Sequence, residues 1–337
     1  MHIVIVGTGA VGTILGSRLQ ATGQCHITAV CRSNFEAVRH NGLKINSDHF
    51  GNSVFKPDYV ASSVEDATNQ DYSFDYIIVC TKALPALTNT VDLIRPLVSS
   101  NTSIMLIQNG IGIEDDCIQH FPQNPVFPAV IYIMCTQLSP GEIECSGQVR
   151  LIIGANRLKG VVDDHELRFE RDQKHCERIR ELFNIGGIDA VLTDQIQGYR
   201  WLKIVWNASF NPVSVVSGGC DTVEMLSQPE TADLLCTIQH ELWATGEAVT
   251  GQPLPLIPGT RSPEELCRAT LKLPAYKPSM LHDYLNKRPM EHEVILKNPL
   301  ELARKYKIHI PHVETVYALL VLLEKKNNRS NSNKDNA

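Results

Sequence analysis

The 337-residue chain carries 31 Lys and Arg against 37 Asp and Glu, a formal charge of −6 and a pI near 6.1, which argue against a nucleic-acid footprint or a polybasic membrane surface. At 43% apolar content it can bury one large core or two ordinary ones, and two domains are the better expectation for this length. No apolar stretch approaches ~20 residues and the first is cut short at Gly7, so neither a signal peptide nor a membrane span is expected. The 10 cysteines, scattered from Cys25 to Cys267 with no C-x-x-C and no Cys/His metal spacing, read as inert thiols of a soluble cytoplasmic protein.

Residues 3 to 16 run Ile-Val-Ile-Val-Gly7-Thr8-Gly9-Ala10-Val11-Gly12-Thr-Ile-Leu-Gly16, an apolar strand meeting G-x-G-x-x-G and passing into a helical pattern. Gly7 permits the tight turn, Gly9 lets a pyrophosphate approach the backbone, and Gly12 lets helix and strand pack closely. The exposed amides and the positive end of the helix dipole would then hold the phosphates. Strands follow at His26–Cys31, Tyr76–Cys80, Ser103–Ile107, Val126–Met134, Glu142–Cys145 and Val149–Ile153, with a turn at Ser139-Pro140-Gly141 and a last strand at Asp189–Thr193. Helices between them are expected to be short. The alternation predicts an α/β doubly wound parallel sheet, a Rossmann domain spanning 1–193.

From Ile196 the texture becomes helical, with patterns over 196–217, 228–249, 263–272, 279–287, 290–306 and 312–326. This reads as an all-α second domain, 194–326, carrying substrate and catalysis. The polar run at 327–337 reads as a disordered tail. The apolar segment from Val316 to Leu323 could finish a core or make a homodimer face.

In NAD-selective folds an acid about 20 residues past the glycines binds the ribose hydroxyls. Here the second strand ends in Cys31-Arg32-Ser33 with no acid, so Arg32 reads as an NADP selector, against a plain surface role. Lys82 and Asn109 lie just past the carboxyl ends of two further strands, where such sheets bind ligands; a loop lysine and a turn-forming Asn-Gly are the bland alternatives.

In Trp201-Leu-Lys203-Ile-Val-Trp-Asn207-Ala-Ser-Phe-Asn211-Pro212, Lys203, Asn207 and Asn211 fall on one face of an otherwise apolar helix. Burying them is costly unless they are satisfied, by a ligand or by neighbouring backbone. A desolvated lysine is a competent general acid for the alkoxide formed as hydride reaches a ketone, and the Asn pair can hold substrate hydroxyls. Pro212 could free the Ala208 carbonyl and bend the helix. Ser279 opens a helix and reads as an N-cap or a ligand contact; Glu291 reads as a first-turn acid or as an acceptor for substrate or cofactor hydroxyls. The 12 His form no HExxH or facial-triad spacing, so no metal is expected.

Together these segments resemble the ketopantoate reductase (2-dehydropantoate 2-reductase) family. The likeness rests on the N-terminal glycines, Thr81-Lys82-Ala83, Gln108-Asn109-Gly110-Ile-Gly112, the run at 201–212, Ser279-Met-Leu-x-Asp283 and Arg288-x-x-Glu291. It implies a Rossmann domain followed by a helical domain, and NADPH-dependent reduction of 2-dehydropantoate to (R)-pantoate on the way to pantothenate and coenzyme A. By resemblance, Lys203 is the catalytic proton donor, and Asn207, Asn211 and Ser279 are substrate-binding. Asn109 and Glu291 contact NADP(H) and lie close to the substrate. Lys82 is the active-site lysine on the cofactor side, and Arg32 meets the 2′-phosphate.

The chain departs from the family pattern at Asp221, where an Asn is usual, and at Lys297-Asn298-Pro299, which replaces a glycine turn. Residues 255–278 also look longer and richer in Pro than in compact members. An Asp221 facing the site would repel a substrate carboxylate. Two other readings therefore stand beside the main one: a reductase of another branched or aromatic 2-oxoacid, and a non-catalytic NADP-binding regulator.

Overall fold

In the computed structural model, which describes residues 1–156, 164–257 and 260–332, the chain divides into two compact units. The first contains Met1–Lys82, Ala86–Gln108 and Ile113–Ile196; the second contains Ala83–Pro85, Asn109–Gly112 and everything from Gln197 on. Two short segments of the N-terminal half thus belong with the helices.

The first unit is built on strands β1 (His2–Val6), β2 (His26–Val30), β5 (Tyr59–Ala61), β6 (Tyr76–Val79), β7 (Ser103–Leu106) and β8 (Val126–Ser139). They lie in the order β5-β2-β1-β6-β7-β8, all parallel. Side chains alternate between two buried layers, which is why these strands are apolar throughout. Ile3 and Ile5 of β1, Ile78 of β6 and Met105 of β7 join one core with α1 (Ala10–Gln20) and α6 (Asp164–Ile185). Val4, Val6, Ile77, Val79, Ile104 and Leu106 join another beneath α3 (Val64–Ala67), α4 (Thr90–Ile94) and α5 (Asp115–His120). This is the doubly wound arrangement expected from the sequence.

The sheet does not stop there. β8 runs 14 residues and turns through Pro140-Gly141, with Gly141 at φ +84°, into β9 (Glu142–Ile153), its antiparallel partner. The two strands expected within 142–153 are thus one, with register shifts at Tyr132/Met134 and Gln137/Ser139. β3 (Leu43–Ser47) and β10 (Asp189–Leu192) pair parallel to β9, and β4 (Ser53–Phe55) pairs antiparallel to β3. The whole is a ten-stranded mixed sheet. The second correction is α6: its 22 residues contradict the expectation of short helices. Half of its residues are charged, but Cys176, Ile179, Leu182 and Phe183 fall on one face and are buried.

The second unit holds α7 (Ile196–Val216, beginning one residue earlier), α8 (Thr222–Ser227), α9 (Pro229–Thr250), α10 (Pro263–Leu271), α11 (Ser279–Leu285), α12 (Asn298–Lys305) and α13 (Pro311–Ser332). α9 packs against α8, α10, α12 and α13. The helix expected over 290–306 begins instead as a π-helical turn, Glu293–Lys297, that runs into α12. α7 continues through Pro212 to Val216. α13 carries helix to Ser332, into the stretch expected to be a disordered tail; residues 333–337 lie outside the described residues.

The three fingerprint glycines answer different constraints. A Cβ on Gly12 would sit 2.4 Å from the Gly7 carbonyl oxygen and 2.9 Å from Ile5 Cγ2, whereas one on Gly9 would meet only Gln137 Oε1 at 3.9 Å. Gly12→Ala is therefore expected to destabilise the protein by about 1–3 kcal/mol, and Gly9→Ala by no more than about 0.5 kcal/mol. Denaturant unfolding followed by circular dichroism separates the two.

Candidate active site

The first turn after β1 is shaped by backbone needs. Gly7 adopts φ +96°, and a Cβ there would lie 2.7 Å from the Thr81 amide nitrogen. Thr8 directs both its amide and its hydroxyl to the Val30 carbonyl, at 3.2 and 3.0 Å, and its own carbonyl accepts from Asn34 Nδ2 at 3.0 Å. The loop is thereby tied to the end of β2, where Arg32 and Ser33 are exposed. Gly9 is the N-cap of α1, no side chain caps that end, and its first turn, starting Ala10-Val11-Gly12, holds no acid. Uncapped amides beside an open glycine fit a phosphate group. These residues therefore suit the pyrophosphate of a dinucleotide.

Past β6 and β7 stand Thr81-Lys82-Ala83 and Gln108-Asn109-Gly110. Gln108 Nε2 donates to Thr81 Oγ1 at 3.2 Å, joining the two loops, and Lys82 is exposed. Beyond that pair the chain passes into the helical unit, where Glu291 receives it. Glu291 is 7% exposed; its Oε1 accepts from the Ala83 amide at 3.1 Å and its Oε2 from Asn109 Nδ2 at 3.3 Å. Glu291 is thus neither a solvated first-turn acid nor an isolated charge.

Three more groups clamp the same turn. Arg200 Nη2, buried, donates to the Gly110 carbonyl at 2.7 Å. The Ile111 amide donates to the Val294 carbonyl at 3.0 Å, and Asn298 Nδ2 donates to the Ile111 carbonyl at 2.7 Å. Gly110, at φ +103°, is required twice over, because a Cβ would stand 2.4 Å from Val294 Cβ. Sequence reasoning missed Arg200, and nothing in its spacing marks it. It saw Asn298 only as a departure from a family pattern.

Glu291 is itself braced. On one side the Met290 amide donates to Glu324 Oε1 at 2.9 Å; on the other His292 Nε2 lies 2.6 Å from Glu324 Oε2. Upstream, buried Asp283 holds Arg288 Nε at 3.4 Å. The Ser279-Met-Leu-x-Asp283 and Arg288-x-x-Glu291 motifs are therefore joined by an ion pair. Ser279 does not cap α11: Pro278 occupies the N-cap, and Ser279 is the first helical residue, with its side chain exposed.

On α7, Lys203 is half-buried, Asn207 is 8% exposed and Asn211 is 1% exposed. Among the described residues, neither the oxygen nor the nitrogen of the Asn211 amide has a hydrogen-bond partner. Ser209, equally buried on the same helix, donates to the Val205 carbonyl at 2.8 Å and accepts from Gln239 Nε2 at 3.1 Å. The protein satisfies the Ser209 side of α7 and leaves the Asn211 amide, on another side, without a partner among the described residues. An orphaned buried amide costs about 1–3 kcal/mol, so a ligand that pairs with it recovers a substantial free energy.

Asp221 is accounted for locally. Its Oδ1 accepts from the Val223 and Glu224 amides, both at 2.9 Å, and Glu224 Oε2 accepts from the Asp221 amide at 2.8 Å, a complete capping box for α8.

Comparison with known proteins agrees with this layout. Residues 3–157 match the family described as ketopantoate reductase PanE/ApbA, and residues 195–324 match its C-terminal region. A 2-dehydropantoate 2-reductase of Nostoc sp. is 26% identical over 96% of this chain and 95% of its own length. The meiotically up-regulated gene 72 protein of Schizosaccharomyces pombe is 28% identical over 98% of this chain, which spans only 57% of that protein. Among solved structures, 2-dehydropantoate 2-reductase from Methylococcus capsulatus superposes with a TM-score of 0.82 at 36% identity, covering 97% of this chain and 98% of that one. A D-mandelate dehydrogenase with NADH and anilino(oxo)acetate shares the fold, with a TM-score of 0.81 at 20% identity over 97% of this chain and 100% of that one. The chain belongs to the ketopantoate reductase family, whose members are NAD(P)-dependent oxidoreductases acting on 2-oxoacids.

Proposed function

We propose that this chain reduces 2-dehydropantoate to (R)-pantoate with NADPH. The observation that carries the reading is the unsatisfied, fully buried amide of Asn211 on the same helix face as Asn207 and Lys203. The relatives from Nostoc and Methylococcus capsulatus bear the name of that activity.

Gly7, Thr8, Gly9, Ala10, Val11 and Gly12 form the cofactor turn, in which the uncapped amides of α1 meet the pyrophosphate. Arg32, with Ser33 beside it and no acid at the end of β2, meets a 2′-phosphate. Lys82 and Asn109 sit at the ends of β6 and β7, where ligands of such sheets bind. When bound, the nicotinamide supplies a hydride to the carbonyl carbon of the substrate.

Lys203 then gives its ammonium proton to the carbonyl oxygen, so that an alcohol and not an alkoxide is released. Asn211 and Asn207 offer amide donors and acceptors to the hydroxyl and carboxylate groups of a small polar acid, and Ser279 adds a hydroxyl. Glu291 acts first by fixing Asn109 and the Ala83 amide, and it accepts from a substrate or cofactor hydroxyl. Residues 1–193 serve the cofactor and 194–326 the substrate in this reading, and the ten free cysteines suit a reducing cytoplasmic setting.

A second reading, an aromatic or other branched 2-oxoacid as substrate, is motivated by the D-mandelate dehydrogenase fold relative. Following NADPH absorbance with 2-dehydropantoate, 2-oxoisovalerate and phenylglyoxylate separates the two. Fast oxidation with 2-dehydropantoate alone supports the main reading; preference for another acid replaces it. Binding of NADPH with no turnover on any acid points to a regulator.

Three variants test the roles. Lys203→Ala is expected to lower kcat by about 10²- to 10⁴-fold while NADPH affinity changes little; near-normal turnover would remove it as proton donor. Arg32→Ala should weaken NADPH and spare NADH, which competitive fluorescence titration reads directly. Asn211→Leu relieves an orphaned amide, so the ligand-free protein should unfold at the same or a higher temperature while KM for the oxoacid rises. A drop in both stability and affinity would mark Asn211 as a structural residue.

A further inference from the structure

Away from the residues above, α9 and α10 bring together side chains that the reductase reading leaves unused. Cys236 and His240 stand one helical turn apart on α9, and Glu264 lies in the first turn of α10. Among the described residues, the thiol sulfur, an imidazole nitrogen and a carboxylate oxygen of these three all lie within 4.8 Å of one another. His240 Nε2 is 2.6 Å from Glu264 Oε1, and Cys236 Sγ is 3.8 Å from the same oxygen. An ordinary surface ion pair accounts for the imidazole and the carboxylate. It gives no reason for a thiol to be directed to the same atom.

The surroundings are built for a cation. Ser262 Oγ donates to Glu264 Oε2 at 2.6 Å, which pins the carboxylate and leaves Oε1 facing α9. Such a hydrogen bond to the distal oxygen is how metal-binding carboxylates are oriented. Asp233 lies three residues before Cys236, on the same side of α9. Burial first, then the Glu264 and Asp233 carboxylates, raise the Cys236 thiol above its usual range. Cys267, three residues beyond Glu264 on α10, feels both Cys236 and Glu264.

We infer that Cys236, His240 and Glu264 form a binding site for a zinc-class divalent cation, one that clips α9 to α10. Zinc–sulfur bonds of about 2.3 Å and zinc–nitrogen or zinc–oxygen bonds of about 2.0–2.2 Å place tetrahedral ligand atoms roughly 3.3–3.7 Å apart. The observed separations of 2.6 and 3.8 Å bracket that range. His240 and Glu264 are more than half exposed in their side chains and can open by the required amount without disturbing the core. One thiolate, one imidazole and one carboxylate select zinc over magnesium or calcium, which take oxygen donors. Three protein ligands leave the fourth position to water or to Asp233. Sequence reading for metal motifs passed over the group because only the Cys236-x-x-x-His240 pair is local; the third ligand comes from another helix.

The test uses full-length protein stripped of metal with a chelator, titrated with zinc chloride by calorimetry and, in parallel, with cobalt(II) followed by absorption. One zinc per chain, bound at micromolar concentration or tighter, is expected, with a rise in unfolding temperature and a thiolate-to-cobalt charge-transfer band. Cys236→Ser, His240→Gln and Glu264→Gln should each weaken zinc by about tenfold or more, and Cys236→Ser should abolish the band. His240 and Glu264 are exposed, Cys236 is half-buried and its replacement by Ser keeps its size, so the variants should unfold like the parent protein when no metal is added. Calcium at the same concentrations should do nothing. The site is overturned if no stoichiometric zinc binding appears, or if binding and the rise in unfolding temperature survive unchanged in Cys236→Ser and His240→Gln.

Discussion

The constraint on which the candidate site depends is the burial of the Glu291 carboxylate. A charge removed from water must be compensated by hydrogen bonds, and an uncompensated one costs several kcal/mol. Here the compensation comes from the Ala83 amide and the Asn109 side chain. Those donors belong to segments that leave β6 and β7, so satisfying one carboxylate fixes the conformation of both at once. The position of the carboxylate is set in turn by Glu324, which holds the residues on either side of it, and by the Asp283–Arg288 pair. Arg200 and Asn298 then take the Gly110 and Ile111 carbonyls, so Asn109 is presented by a turn whose backbone is hydrogen-bonded at several points. Such a turn holds a side chain in place for a ligand without needing the ligand to order it.

α7 shows the opposite arrangement. Its Ser209 face is satisfied through Gln239, which also accepts from Cys267 Sγ at 3.4 Å, and Trp206 Nε1 donates to Thr270 Oγ1 at 3.1 Å. These bonds tie α7 to α9 and α10. The Asn211 amide, one turn from Asn207, has none among the described residues. A protein that meets its hydrogen-bonding needs so thoroughly on one side of a helix and leaves a full amide unmet on the other keeps a local instability that binding can remove. Local inconsistencies of this kind are where functional sites are expected in a folded protein.

What could be read from the sequence follows from how local each signal is. The glycine turn, the parallel strands and the Lys203–Asn211 stripe depend on spacing within one element, and the structure has β1, β2, β6, β7 and α7 where the pattern placed them. The strands and the turn of the antiparallel extension were read in part, but β3 and β4 were missed because they are short, and the full length of β8 because its exposed half alternates polar and apolar residues. α6 was missed because its charge hides a narrow apolar face that has meaning only against the sheet. Glu291 drew notice for its residue type, yet its partners stand 208 and 182 residues away, beyond the reach of any spacing rule.

The departures at Asp221 and Asn298 were the main sequence argument for a different substrate, and the structure gives both a local cause. The Asp221 carboxylate is held by two backbone amides at the start of α8, where the helix dipole also favours its charge. A carboxylate so engaged has a structural role at the start of its own helix, which accounts for an acid at this position without a substrate. Asn298, within the segment that replaces a glycine turn, spends its side-chain amide on the Ile111 carbonyl. An asparagine performing that bond supports the Asn109 turn from outside. Neither substitution falls on the helix that carries Lys203, Asn207 and Asn211, so the proposed substrate groups are the same whichever 2-oxoacid is considered.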